Sequence, residues 1–243
     1  MNNHFFLLVI ALIIFLLHVP ISSQNNRYRL IGFNNSPYYD EQVLSFDYEP
    51  KIKVHINAPS PKTFDEDKKV VIALFALPNG NTTEQTIGKE IKDGEDWHYD
   101  IQHIGAQTRF IRTKQTDCNF VTVYLENEFL SWPAWKAEYQ NHDEIISKLV
   151  DSIKSIFKNY SPEIILTSHS GGGRFIFSFI DHFQSIPSFV KRIAFLDSNY
   201  GYNDEYGVKF VKWLNSSTDN VLFTIAYNDS AALYNGKPIV NLV

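Results

Sequence analysis

The chain has 243 residues, of which 44% are hydrophobic and 20% are charged, and its formal net charge at pH 7 is −5. This length is sufficient for one α/β domain with a full hydrophobic core. The acidic balance excludes a general nucleic-acid-binding protein, which needs a basic face, and no basic run or stripe is present.

An unbroken apolar run, Phe5 to Leu17, lies near the start of the chain. It is too short to span a bilayer comfortably as a mature helix, and small residues follow it at Ser22 and Ser23. This layout is typical of a secretory signal peptide over residues 1–23. It predicts a secreted or periplasmic protein with no membrane span after signal removal; a retained N-terminal anchor is the alternative.

The segment 24–41 shows no periodicity and is predicted to be an irregular lead-in to a domain over 42–243. Alternating apolar residues then predict two antiparallel strands, over 43–48 and 52–56. The next run, Val70 to Leu77, is apolar throughout, which is typical of a parallel strand covered on both faces.

After residue 70, helical and strand patterns alternate, which predicts one mixed sheet with right-handed crossovers. The remaining predicted elements are a helix over 96–113, a strand over 119–125, a loop over 126–139, a helix over 143–160, a strand over 164–166, a helix over 175–183, a strand over 190–196, a helix over 205–214 and a strand over 221–227.

The loop over 126–139 is rich in aromatic residues and follows the C-terminal end of a strand. Trp132 and Trp135 flank a proline there, in a segment with neither helical nor strand period. Because open parallel sheets bind ligands at the carboxyl ends of their strands, we interpret the two tryptophans as a candidate substrate cleft. The alternative is packing beneath a long loop.

The most informative motif runs from Thr167 to Gly173, between a predicted strand and a predicted helix. A serine at the apex of such a turn is lifted towards a substrate in a strained backbone conformation. The turn requires small residues on both sides of Ser170, and Ser168 and Gly172 meet that requirement. The N–H of Gly171 would face an oxyanion at a helix N-terminus. A phosphate-binding turn is the alternative, but its usual glycine and lysine patterns are missing.

This motif resembles the nucleophile elbow of the α/β-hydrolase superfamily, especially its secreted serine esterases and lipases, although Ser168 stands where the family usually has glycine. The resemblance is specific at the elbow and topological elsewhere. It implies a three-layer α/β sandwich with a mostly parallel sheet, an antiparallel N-terminal strand pair and Ser170 as nucleophile. It also implies a second oxyanion donor after the first parallel strand, where Asn79-Gly80 replaces the family's His-Gly. We predict Gly80 or Asn81 as that donor; an ordinary turn is the alternative.

In this superfamily the triad follows the order serine, acid, histidine. The strand count implied by the resemblance makes Asp229 the predicted acid, with Asp197 one strand earlier as the alternative. None of the eight histidines follows Asp229. The first hypothesis is therefore a serine hydrolase that is truncated here, its histidine lying beyond the end of this chain. The second is a secreted, catalytically inactive binding protein. A histidine contributed by a partner chain is a third.

No His, Asp or Glu cluster has the spacing of metal ligands, so we expect no metal and no cofactor. The expected substrate is a small-molecule, glycan or lipid carboxylic ester, with an amide as the alternative.

Overall fold

The computed structural model describes residues 28–226 and, for the backbone alone, two short strands after them. The strands are β1 (Asn34–Asn35), β2 (Glu41–Tyr48), β3 (Ile52–Pro59), β4 (Val70–Ala76), β5 (Asn119–Asn127), β6 (Glu163–His169), β7 (Val190–Leu196), β8 (Val221–Ile225), β9 (Leu233–Tyr234) and β10 (Lys237–Pro238). The α-helices are α1 (Thr83–Ile87), α2 (Ile104–Lys114), α3 (Trp132–Glu138), α4 (His142–Ile156), α5 (Gly173–Asp181) and α6 (Asp204–Leu214).

Strands β1 to β8 form one sheet in the order β1-β2-β3-β5-β4-β6-β7-β8. The neighbours from β5 to β8 in this order are parallel, whereas β1, β2 and β3 pair antiparallel and β3 pairs antiparallel with β5. This order confirms the predicted α/β-hydrolase-like arrangement, a mostly parallel sheet with an antiparallel N-terminal strand pair. Strands β9 and β10 pair with each other.

Strand β4 lies between β5 and β6 in the interior of the sheet, and all its residues are buried. The main core lies on the face covered by α3, α4, α5 and α6. On the other face, α2 packs Ile104 against Phe75 and Tyr124 of the central strands. Helices on both faces explain why β4 is a continuous apolar run.

The helix α4 shows how the sequence determines the packing. Its buried residues recur at helical spacing and form one apolar stripe against the sheet, while the acidic residues of its first turn favour the helix N-terminus. The stripe consists of Ile146, Leu149, Val150 and Ile153. The prediction of a scaffold helix over 143–160 is confirmed, except that the last turn is a 3₁₀ turn at Lys158–Tyr160.

The described part of the lead-in is packed on the domain. Leu30 and Phe33 are buried at 4% and 3% exposure. The side chain of Gln42 is fully buried, accepts a hydrogen bond from the Leu30 N–H and donates to the carbonyls of Tyr28 and Pro59. One glutamine therefore satisfies three backbone groups and fixes the lead-in to β3.

Three elements differ from the prediction. The helix predicted over 96–113 is divided into a 3₁₀ turn, Trp97–Asp100, and α2, with His103 between them at φ 49°. The aromatic loop contains α3, whose N-terminus is capped by the Ser131 hydroxyl. Helix α1 is too short to produce a recognisable period. In the described part of the chain, no helix is long and apolar enough to cross a bilayer.

Candidate active site

Ser170 lies where β6 ends and α5 is about to begin, in a short 3₁₀ turn that covers Ser170–Gly172. Its φ is 49°, a left-handed conformation that is rare for residues other than glycine. Such a conformation costs about 1 to 3 kcal/mol and persists where the surrounding structure enforces it. The geometry is that of a serine raised at the carboxyl edge of the sheet, as the motif predicts.

The glycines after Ser170 show how tightly the turn is enclosed. A methyl group on Gly172 would overlap the carbonyl oxygen of Ala76, at the end of β4. On Gly173 it would overlap the carbonyl oxygen of Ser198, just after β7. The turn is thus held between backbone segments that follow the two strands flanking β6, and only glycine permits these approaches.

Ser168, which replaces the family's usual glycine, is fully buried and has a polar partner. Its hydroxyl lies 2.7 Å from that of Ser198, and the Ser198 hydroxyl also donates to the Ser168 carbonyl at 3.2 Å. The pair connects β6 to the segment after β7. The hydroxyl that Ser168 adds at this buried position is therefore satisfied by the hydroxyl of Ser198.

The loop after β4 lies beside the elbow, but its Gly80 does not offer the free N–H that the sequence predicts. The N–H of Gly80 donates to the Leu130 carbonyl at 2.8 Å, so it is not available to an oxyanion in this conformation. This corrects the assignment of Gly80 as a donor. The N–H of Asn81 makes a long contact of 3.5 Å to the Pro78 carbonyl, and its buried side chain leaves Nδ2 without a hydrogen-bond partner.

Asn79 is the residue of this loop that the sequence reasoning missed. Its side-chain amide lies directly against Gly171, where an added methyl group would overlap Oδ1. Asn79 is exposed and precedes the left-handed Gly80, at φ 80°. The Pro-Asn-Gly sequence was the available signal, since it predicts a tight turn that presents the asparagine side chain.

Glu126 fixes the position of this loop from the neighbouring strand. It lies near the end of β5 with 7% exposure, and its Oε2 accepts hydrogen bonds from the Thr83 N–H at 2.6 Å and the Thr83 hydroxyl at 2.9 Å. A carboxylate at the N-terminus of α1 is favoured by the unpaired N–H groups there. Lys53 lies 3.8 Å from the same carboxyl group.

The structure describes only one of the two predicted triad acids. Asp229 lies outside the described residues. Asp197 follows β7 directly, at the same edge as Ser170, and has a left-handed φ of 47°. Its N–H donates to the Ile225 carbonyl at 2.7 Å. The structure therefore places Asp197 near the elbow, while the choice between the two acids stays a prediction.

His169 lies next to Ser170 and is directed to other partners. Its Nδ1 is 2.7 Å from Nε2 of Gln102, and Oε1 of the same glutamine is buried without a partner. Burial lowers the pKa of His169 below its ordinary value, and the charge of Asp197 partly opposes that effect. A histidine with this environment favours the neutral form.

The other described histidines have no hydrogen bond to Ser170 either. His55 is 2.7 Å from the Ser45 hydroxyl, while His98 and His103 pair with Asp96 and Asp100. His182 contacts Asp143 at 3.4 Å, and His142 has a buried Nδ1 without a partner. Among residues 28–226, no histidine is hydrogen-bonded to the hydroxyl of Ser170.

Trp132 and Trp135 do not form a cleft, which corrects the sequence interpretation. Their exposures are 1% and 0%, and their rings contact each other at 5.5 Å between centroids. Trp132 also packs against Phe175 of the elbow helix, and both indole N–H groups donate to backbone carbonyls. They belong to the core because α3 directs both side chains towards the sheet.

A cavity of about 480 Å³ lies elsewhere, between α2 and the middle of the sheet. Its lining is mostly apolar and includes Ile104, Phe120 and Phe223, but not Ser170. Because this cavity is on a sheet face and not at the carboxyl edge, it is separate from the elbow. No group of three metal-ligating side chains occurs in the described part of the chain.

The sheet order and the elbow together define an α/β protein with the α/β-hydrolase-like fold. No protein-family model and no curated protein matches the chain. Similar solved structures include a thermostable esterase (14% identity, TM-score 0.43), a siderophore hydrolase from Aspergillus nidulans (9%, 0.42) and a cold-adapted esterase from an Arctic intertidal metagenomic library (8%, 0.41).

These matches cover 77%, 84% and 87% of this chain, respectively. They cover 54% of the thermostable esterase, 76% of the siderophore hydrolase and 78% of the cold-adapted esterase. The chain thus spans about half the length of the thermostable esterase. At these identities and TM-scores, the assignment of the site depends on its own geometry.

Proposed function

We propose that this protein is a serine hydrolase that cleaves a carboxylic ester through an acyl-enzyme. The observation that carries the proposal is the left-handed Ser170 at a strand–helix junction, followed by Gly172 and Gly173, where an added methyl group would overlap backbone carbonyl oxygens. A buried structural serine has no need of this conformation, whereas a nucleophile requires an accessible hydroxyl.

In the proposed reaction, a base takes the Ser170 proton as the hydroxyl oxygen attacks the ester carbonyl carbon. The Gly171 N–H stabilises the resulting oxyanion, together with a donor from Asn79 or Asn81. The tetrahedral intermediate expels the alcohol, which receives the proton from the base. Water then hydrolyses the acyl-serine by the same steps and restores the free hydroxyl.

We assign the base to a histidine outside residues 28–226, oriented by Asp229 or Asp197. This assignment is supported by the described histidines, whose hydrogen-bond partners do not include Ser170. The substrate class is a small-molecule, glycan or lipid ester. Secretion after removal of residues 1–23 belongs to the same proposal, and mass spectrometry of the secreted product checks it by its new N-terminus.

The test is covalent labelling by a fluorophosphonate probe, on this chain and on the longest product of the same gene. We expect labelling of the product that contains the base, and its loss in Ser170→Ala. Ser161→Ala is the matched control, because Ser161 is exposed and also left-handed, at φ 46°, but lies in no elbow. Labelling that survives Ser170→Ala would contradict the proposal.

A binding protein with the same fold is the second candidate function. It is favoured by one observation, the absence of a histidine bonded to Ser170 within residues 28–226. If every folded product of the gene fails to label, this second function replaces the first.

A further inference from the structure

A surface cavity of about 400 Å³ opens beside the elbow helix. It lies between α3, the start of α4 and the first turn of α5, and we call it the α3–α5 cavity. Its lining residues are Pro133, Lys136, Ala137, Gln140, His142 and Arg174. None of them has a role in the reaction described above.

The cavity is close to the nucleophile because Arg174 follows Ser170 by four residues. These residues belong to the 3₁₀ turn and the first turn of α5, which together advance by about 6 Å. Helix α3, which forms the opposite wall, packs against the elbow turn itself. A ligand bound at Ser170 could therefore extend into the α3–α5 cavity by a few bonds.

The charged groups in the lining are cationic. Lys136 Nζ lies 3.1 Å from Asp181, outside the lining, and Arg174 Nη2 donates to the Tyr200 carbonyl at 3.1 Å. The guanidinium has five N–H donors, so this bond leaves others for a ligand. The lining contains no carboxylate, and His142 contributes a buried Nδ1 without a partner.

We propose that the α3–α5 cavity binds the free carboxylate of a dicarboxylic acid monoester whose ester carbonyl lies at Ser170. The guanidinium of Arg174 fits a carboxylate through two parallel hydrogen bonds, and the ammonium of Lys136, which pairs with Asp181, has further N–H donors for the same carboxylate. Pro133 and Ala137 supply apolar walls for the methylene groups between the two carbonyls. This inference rests on the proposed function, because it names the substrate class of the same site.

The test measures ligand binding in Ser170→Ala, which cannot turn the ester over. Isothermal titration calorimetry compares monomethyl adipate with methyl hexanoate, which has the same chain length but no carboxylate. We expect the acidic ester to bind at least about tenfold more tightly, since hydrogen bonds to charged groups contribute about 1.5 to 3 kcal/mol. Equal affinity for the two esters would overturn the proposal.

Variants then locate the carboxylate. Adding Arg174→Gln should weaken binding of monomethyl adipate about tenfold, and adding Lys136→Gln should weaken it several-fold, without weakening methyl hexanoate. Lys148→Gln is the control, because Lys148 lies on the solvent side of α4 and pairs with Glu144. Arg174 also holds the Tyr200 carbonyl, so thermal unfolding checks that its variant is folded, and Lys136→Gln tests the cavity independently. If both variants bind the acidic ester as tightly as the parent, the cavity does not hold the carboxylate.

The two proposals fail separately. Carboxylate-dependent binding without fluorophosphonate labelling would retain the subsite and reject the hydrolase. Labelling of Ser170 with equal binding of the two esters would retain the hydrolase and reject the subsite.

Discussion

The left-handed backbone of Ser170 lies in a turn whose following glycines are closely packed against other segments. The carbonyl oxygens of Ala76 and Ser198 lie against Gly172 and Gly173, and the Asn79 amide lies against Gly171. These contacts come from two segments, the end of β4 with the loop after it, and the segment after β7. The strain of one residue is therefore offset by the packing of the sheet around it.

Gly173→Ala tests this enclosure without changing the nucleophile. Its backbone is already helical, so the expected loss arises from the overlap of the new methyl group with the Ser198 carbonyl. We expect the free energy of unfolding to fall by about 2 to 3 kcal/mol, measured by urea denaturation. Gly207→Ala is the control in α6, where the added methyl meets only the mobile end of Tyr202. It should be neutral or stabilising by up to about 1 kcal/mol, since alanine favours helices.

The residues of the site were predictable where local chain geometry determines them. Ser170 and Gly171 follow from a strand, a turn and a helix in sequence, and the structure has that order. The partner of the Gly80 N–H was not predictable in this way, because it is the carbonyl of Leu130, fifty residues away. The Pro-Asn-Gly sequence predicts the turn at Asn79, but the contact of its side chain with Gly171 joins segments far apart in the chain, which no local pattern encodes.

At the scale of elements, the short helix α1 depends on a partner outside itself. A helix of five residues has little intrinsic stability in water. Here its N-terminus has a capping box between Thr82 and Gln85, and Glu126 from β5 accepts two hydrogen bonds from Thr83. The loop that contains Asn79 and Asn81 is thereby connected to the central sheet.

Glu126→Gln should loosen this connection. The variant retains the size of the side chain but loses the charge that stabilises the helix N-terminus, so we expect a loss of about 1 to 2 kcal/mol in unfolding free energy. Fluorophosphonate labelling of the base-containing product should slow as well, because the loop with the proposed oxyanion donors Asn79 and Asn81 is less well fixed. Glu163→Gln is the control, since Glu163 forms a partly exposed pair with Lys69 at the opposite edge of the sheet. Equal labelling rates in the two variants would show that Glu126 does not position the loop.

Element prediction succeeded for long periodic segments and failed for short or interrupted ones. Strand β7 and most of α4 have the predicted bounds. The segment over 126–139 failed because Pro133 and two tryptophans hide the period of α3, although proline is well tolerated in the first turn of a helix. Its tryptophans contribute to the core, so they do not form the predicted substrate cleft.

At the scale of the whole molecule, three histidines connect stability to pH. Burial lowers the pKa of His55, His142 and His169, in each case as the largest effect. Their protonation therefore favours the unfolded chain, in which the pKa is about 6.5. The stability that they contribute is present above that value and is lost as the pH falls through the lower folded-state pKa.

We therefore expect the urea midpoint to decrease as the pH is lowered from 7.5 to 5. His55→Gln should reduce this decrease. His55 lies on β3, between β2 and β5, where burial makes protonation of its imidazole unfavourable. His98→Gln, a substitution on the surface beside Asp96, is the matched control. A midpoint that stays constant over this range would contradict the linkage.

The whole fold was predictable because alternation of strands and helices restricts the topology to few arrangements. The sheet order places β4 between β5 and β6, which the alternation alone does not specify. The strand order decides which loops meet at the elbow. Local sequence patterns do not predict that order.

The hydroxyl pair of Ser168 and Ser198 should restrict which residues occur together at these two positions in related genes. Thirty residues separate the two serines, yet each satisfies a buried polar group of the other. A replacement of one alone leaves a buried hydroxyl with fewer partners, which selection disfavours. In related genes we expect the two positions to covary, with glycine at the first position accompanied by a residue other than serine at the second.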